Sequence, residues 1–313
     1  MDRAASDVGT DDVDAASPAP LDAADASRVV DATDAAADVL TDAGHPSPIG
    51  CEDAGATLIY VTTQQGDLWS LYPPTLRFVR IGRMVCPTNT PGATPFSMAV
   101  DHGGTAYVVY SDGELFRVST ATASCRPTNF ALNQQGFLTF GMGFSQNQSG
   151  IGETLYVASD LQPGTNLPPR LGTIDTATLS LRSVALFQPP IGSAELTGTG
   201  GGDLFAFFAL GASSDGGPFP APSAIGRIDK TNGLMTGEVV LDGVGQGCAW
   251  AFAFWGGDFY TFTAPPPTGT CSATSPPPTV VTRMRPADGT VVPIATFGAE
   301  IVGAGVSTCA PQQ

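Results

Sequence analysis

The chain has 313 residues with 29 acidic and 13 basic side chains, a formal net charge of −16. Nucleic acid and anionic membrane both require a basic footprint, so this excess of acid argues against either as a partner. The longest apolar runs, 204–210 and 249–255, are far too short to span a bilayer.

Residues 1–50 hold eleven Asp, no Glu, two Arg and thirteen Ala, a net charge of −9, and no aromatic side chain. So little apolar surface cannot offset the entropy of ordering a backbone, roughly 1–2 kcal/mol per residue. The segment reads as a disordered Asp/Ala-rich linker, extended by its own repulsion. Asp7, Asp11, Asp12 and Asp14 lack the alternating spacing with which a calcium loop converges its oxygens. No hydrophobic leader precedes this stretch in the sequence given, so a secretory signal is expected upstream of Met1.

From Cys51 the texture changes to Gly, Thr, Val, Phe and Pro, and all six cysteines (51, 86, 125, 248, 271, 309) fall there. None forms a C-x-x-C pair, and His45 and His102 are the chain's only imidazoles, which leaves little for a zinc site. An even cysteine count fits disulfides made in an oxidising compartment, so a secreted, periplasmic or cell-surface location is expected.

One short strand recurs five times. Its copies are Leu58-Ile59-Tyr60-Val61, Thr105-Ala106-Tyr107-Val108, Thr154-Leu155-Tyr156-Val157, Asp203-Leu204-Phe205-Ala206 and Asp258-Phe259-Tyr260-Thr261. The aromatics at 60, 107, 156, 205 and 260 stand 47, 49, 49 and 55 residues apart, the period of a propeller blade. A second strand, a turn and an outer strand follow each copy, as in Ile225-Gly226-Arg227-Ile228-Asp229 before the turn Thr231-Asn232-Gly233. Before each aromatic strand from the second repeat onward sits a small-x-small triplet: Ser97-Met98-Ala99, Gly141-Met142-Gly143, Gly198-Thr199-Gly200 and Ala251-Phe252-Ala253. A fifth, Gly303-Ala304-Gly305, lies near the C-terminus with no aromatic strand after it. Alternate strand residues face one way, so five such strands present small groups where five backbones crowd an axis.

The first repeat lacks an inner strand and the last has nothing else, so joining them completes a blade and removes open edges. The sequence therefore predicts an all-β, five-bladed propeller over 51–313. Its blades fall at about 301–309 with 58–84, then 97–131, 138–187, 195–241 and 249–297. Closure places Cys51 beside Cys309. Cys248 and Cys271 share the face of the longest loop and are expected to pair. Cys86 and Cys125 remain by elimination, although strand order puts them at opposite blade ends, and that pairing stays open.

The connections between second and third strands are tight at 64–67 and 111–113 but long at 160–169, 211–223 and 264–278. They raise Pro/Gly/Ser/Thr loops over one side of one face, where Asp160 and Asp215 carry the only charges, and binding usually resides on such loops. Glu195 and Glu300 precede inner strands in matching contexts (Ala194-Glu195-Leu196, Ala299-Glu300-Ile301) and make a candidate carboxylate pair at the channel mouth. Such a pair is suited to a cation or to acid/base work. A channel-mouth Ca²⁺ is the ion they would take, though no motif calls for a metal or any other cofactor. Trp250, Trp255 and Trp69 are candidates for a sugar or peptide platform, of which Trp250 is taken as a site residue, although such aromatics more often fill between blades. No G-x-S-x-G elbow occurs, and His102 stands in a turn, Asp101-His102-Gly103-Gly104, so no catalytic residue is assigned. The expected role is a monomeric binding or scaffold module with a protein or glycan ligand. The competing expectation is a metal-dependent hydrolase or lactonase using Glu195 and Glu300.

Stretches such as Ala99-Val100-Asp101-His102-Gly103-Gly104-Thr105-Ala106-Tyr107 and Ile228-Asp229-Lys230-Thr231-Asn232-Gly233 resemble secreted bacterial propellers of the NHL, quinoprotein-like and gluconolactonase-like kinds. The resemblance implies the fold. Lactonases of this shape hold a divalent metal with carboxylates and amides around the channel, where the matching positions here are Ser, Gly and Ala. Quinoprotein repeats carry a Trp in most blades, and here only Trp69 stands on a comparable strand. The acidic tether is similar to the linker of bacterial surface lipoproteins, whose lipidated Cys would lie upstream of Met1.

Overall fold

The computed structural model describes residues 51, 57–161, 167–210, 221–266, 270–272 and 275–313. The acidic segment 1–50 and Asp215 lie outside the described residues. Among the described residues twenty strands form five four-stranded antiparallel sheets, the blades of a propeller. The first blade uses both ends of the domain: β20 (Ile301–Val306) is innermost, followed outward by β1 (Ile59–Thr63), β2 (Asp67–Tyr72) and β3 (Arg77–Arg83). The second holds β4 (Pro95–Val100), β5 (Thr105–Tyr110), β6 (Leu115–Ser119) and β7 (Cys125–Pro127). In the third are β8 (Phe140–Gln146), β9 (Glu153–Ser159), β10 (Arg170–Ile174) and β11 (Leu181–Leu186). The fourth runs β12 (Ala194–Gly198), β13 (Leu204–Ala209), β14 (Pro222–Ile228) and β15 (Met235–Gly245). The fifth comprises β16 (Trp250–Trp255), β17 (Asp258–Thr263), β18 (Thr279–Arg285) and β19 (Thr290–Phe297).

Neighbouring inner strands pack in a closed ring, β20 on β4, β4 on β8, β8 on β12, β12 on β16 and β16 back on β20. Both faces of each blade are therefore covered, which is why β1 and β5 read as almost continuous apolar runs. The core divides accordingly. Among the described residues, each of five apolar clusters bridges one pair of adjacent blades. Leu68, Met98 and Phe116 join the first two blades, and Phe207, Phe252 and Phe259 join the last two. Outer strands β3 and β15 turn mostly polar side chains to solvent.

All three disulfides are formed, and none of the six cysteines is free. Cys51–Cys309 spans 258 residues and locks the ends of the closing blade together. Cys248–Cys271 pins the longest loop. Cys86 and Cys125 are joined as well, with Cα atoms 5.2 Å apart. Strand order hid this pair because it ignores twist. Each strand rotates about 20–25° relative to its neighbour, so the outermost strand lies well across the axis direction. The far end of β3 thereby reaches the next blade's β6–β7 turn, where a Cβ at Gly82 would come 3.1 Å from that of Ala123.

One triplet was read out of register. The residues facing the repeated aromatics are Ala99, Gly143, Thr197, Ala253 and Gly305. Two residues earlier stand Ser97, Gly141, Glu195, Ala251 and Gly303. In the fourth blade the matching triplet is thus Glu195-Leu196-Thr197, not Gly198-Thr199-Gly200. Thr199 instead opens the turn into β13, its hydroxyl accepting from the Asp203 amide at 3.0 Å. Glu195 occupies a ring position that is Ser, Gly or Ala in every other blade.

Candidate functional site

The entry ends of the inner strands share a face with the connections between second and third strands. Those connections are short in the first two blades and long in the next three, running 160–169, 210–221 and 264–278. Pro222 and Ser223, read as loop, begin β14 instead. In the middle of this face lies a cavity of about 10 Å³, room for one water. Phe96, Gly141, Asp160, Ser193, Ala194, Glu195 and Trp250 line it.

Glu195 is buried, with 3% of its surface exposed. The Ser97 hydroxyl, two blades away on β4, donates to its Oε2 at 2.8 Å. Burial pushes the carboxyl well above its ordinary range, the nearby Asp160 charge adds to the rise, and the Ser97 hydroxyl and Met142 amide pull the other way. Its neighbours on the ring explain how a long side chain fits. A Cβ at Gly141 would lie 2.0 Å from the Ala194 carbonyl oxygen, so only glycine lets β8 and β12 approach this closely. Asp160 stands at the start of the first long connection. Its Oδ1 accepts from the Leu161 amide at 2.8 Å and from the Ser193 hydroxyl, and its Oδ2 takes a 3.3 Å bond from Thr139.

The structure thus brings Glu195, Asp160 and Trp250 to one cavity, and Glu300 does not line it. By strand register Glu195 corresponds to Gly303, three residues beyond Glu300, so the matching Ala-Glu contexts are not equivalent positions. Glu300 is buried at the start of β20, its carbonyl accepting from the Gln64 amide, and burial raises its carboxyl. Trp69 packs edge-on against Phe297, and Trp255 packs edge-on against Tyr72 while its Nε1 donates to the Thr57 carbonyl. Both fill between the first and last blades. Among the described residues no three His, Cys, Asp or Glu side chains converge as metal ligands would, and no helix is long and apolar enough to cross a membrane.

Sequence reasoning missed the opposite end of the ring. There the segment after β20 lies across the axis, with Ser307, Thr308, Cys309 and Ala310 all buried. Thr308 donates to Glu153 of the third blade at 2.6 Å, and the Gly256 amide of the fifth donates to the Pro311 carbonyl. Glu153 also accepts from the His102 amide and sits 2.8 Å from its Nδ1, so His102 helps hold this plug. Only Cys309 signalled the segment in the sequence, because a single crossing has no period.

The Glu195 environment fixes a pH dependence. Its folded pKa lies above the unfolded value, so any stability it contributes is complete below the unfolded pKa and lost as pH rises through the folded one. Glu195→Gln removes that loss. The variant's unfolding free energy in urea is expected to match the wild type near pH 4 and to exceed it at pH 8, by about 1–3 kcal/mol if the carboxylate is forced to ionise in place. Equal midpoints at both pH values would show that Glu195 is not buried as described.

No protein-family model matches this chain, and no curated protein matches it. Among solved structures it is similar to a protein of unknown function from Bacteroides caccae at 10% identity, covering 79% of this chain and 97% of that one, TM-score 0.41. A TolB-like protein from Agrobacterium tumefaciens gives 11% identity, coverage of 80% and 94%, and TM-score 0.42. The tricorn protease gives 10% identity and TM-score 0.36 over 76% of this chain, which spans only 25% of that protein.

Proposed function

We propose that this protein is an extracytoplasmic binding module that takes its ligand on the long-loop face of the propeller. The carrying observation is the asymmetry of the two channel mouths. One is covered by the chain's own C-terminal segment, whereas the other is the end at which all three long connections leave and rejoin the strands, and it holds a cavity with a buried carboxyl group. Loops on a rigid scaffold are where recognition usually resides. Three disulfides with no free thiol fit an oxidising compartment. The paired-carboxylate hydrolase is not proposed, because the strand register sets Glu195 and Glu300 at different levels of the ring.

The test keeps Asp160 and replaces residues 161–169 with two turn residues, which gives the length of the connection between β1 and β2. The variant is expected to keep its unfolding midpoint within about 0.5 kcal/mol, as surface changes do. It is expected to release material that the immobilised full chain retains from cell-surface extracts. Retention unaffected by the shortened loop would remove this face from the proposal. A calcium-induced rise in Tm that both Glu195→Gln and Glu300→Gln abolish, along with a hydrolytic activity, would favour the enzyme instead.

A further inference from the structure

We infer that the cavity at the long-loop mouth is a subsite for one hydroxyl group of a neutral carbohydrate, with the sugar ring against Trp250 and the hydroxyl between Glu195 and Asp160. This rests on the binding-module reading and names its ligand class.

Size comes first. At about 10 Å³ the cavity takes a water or a hydroxyl and nothing larger, so a ligand must insert a single small polar group and lie on the rim with the rest. The rim suits a sugar. Trp250 and Phe96 are only partly buried, and an aromatic face covers the apolar side of a pyranose while the ring hydroxyls stay outward. In sequence the connections 160–169, 210–221 and 264–278 carry no charge except Asp160 and Asp215, in a chain that is otherwise strongly acidic. An anionic glycan would meet that net negative field, and Arg170, which follows the first connection, is already engaged by the Gln135 carbonyl and the Phe137 ring.

The floor supplies the complementary chemistry. A hydroxyl both donates and accepts, and it is held best between one acceptor and one donor. Asp160 is the acceptor. Its Oδ1 is engaged by Leu161 and Ser193, which fix the carboxylate, while among the described residues Oδ2 takes the long bond from Thr139 alone. Glu195 in its neutral form is the donor, and burial favours that form. Among the described residues, Asp160 is the charged group that acts on Glu195. The groups facing it from β4 and β8 are the Ser97 hydroxyl and the Met142 amide. Two ionised carboxylates would instead favour an ammonium or a metal ion, and the burial of Glu195 works against that state.

The experiment measures retardation of the full chain in gels containing soluble galactan, β-glucan, mannan or amylose at pH 5 and pH 9, with alginate as the anionic control at both and chitosan as the cationic control at pH 5. At least one neutral polymer is expected to bind at pH 5 and to weaken at least tenfold by pH 9, as Glu195 loses its proton. Glu195→Gln, which keeps an N–H donor, is expected to hold the pH 5 affinity at both pH values, while Glu195→Ala loses it at both. Trp250→Ala is expected to lose at least tenfold and Trp250→Phe less, each checked by its unfolding midpoint. The inference is overturned if no neutral polymer binds at either pH, if alginate or chitosan is preferred, or if Glu195→Gln keeps the wild-type pH profile. Loop-dependent capture of a protein with no glycan binding would overturn it too, while leaving the binding-module reading in place. Glycan binding that needs Trp250 and Glu195 but survives loop shortening would do the reverse.

Discussion

Deleting residues 301–313 is expected to abolish cooperative unfolding and cause aggregation. The cut strips β20 from the inner edge of the first blade and exposes the edge of β1, whose five residues are all buried. An apolar strand edge left unpaired recruits other chains. The cut also removes β20 from between β4 and β16, opening the ring, and takes away the crosslink over 258 residues. In the chain-entropy model a bridge across so long a loop contributes about 5 kcal/mol. The double variant Cys51→Ser, Cys309→Ser separates the two effects. It is expected to lose up to about that amount of stability in urea while still unfolding in one transition, because the strand remains. A truncated chain that unfolds cooperatively at the wild-type midpoint would mean that β20 does not close the propeller.

The inner ring is equally sensitive to a single carbon atom. Gly141→Ala would place a Cβ 2.0 Å from the Ala194 carbonyl oxygen, and Gly198→Ala would place one 2.0 Å from that of Phe144. Both obstacles are backbone atoms of the neighbouring inner strand and cannot swing aside. Each substitution is therefore expected to cost about 3 kcal/mol or more, the upper range of overpacking. Gly298→Ala is the matched control, since a Cβ there meets nothing within 4 Å, and a shift within about 0.5 kcal/mol is expected. Urea midpoints for the three variants decide the matter. A tolerated Gly141→Ala would show that the inner strands stand further apart than described.

Much of this architecture was legible in the sequence because the blades repeat. An aromatic at 60, 107, 156, 205 and 260 marks the same strand five times, and the orphaned 303–305 triplet gave away the closure. What escaped is local and does not repeat. Gly198 and Gly200 imitate the small-x-small pattern, yet Thr199 and Asp203 take that stretch into a turn, which hid the fact that Glu195 is the residue on the ring. The Glu195–Glu300 pairing failed for the same reason, since similar neighbours do not guarantee equal register. Asp160 and Trp250 were visible as loop-face candidates, but their meeting with Glu195 depends on three separate blades. Cys86–Cys125 required sheet twist, a property that strand order does not encode.

The Cys51–Cys309 bond also decides how the domain carries load. A pull on the chain upstream of Cys51, with the opposite face held, reaches its sulfur and divides at once between the segment leading to β1 and residue 309 behind β20. These strands are antiparallel neighbours, paired from Ile59–Val306 through Thr63–Ile301. Because their near ends are tied together, tension cannot peel one from the other one hydrogen bond at a time. It must instead drag the pair out of the sheet as a unit, against β2 on one side and β4 and β16 on the other.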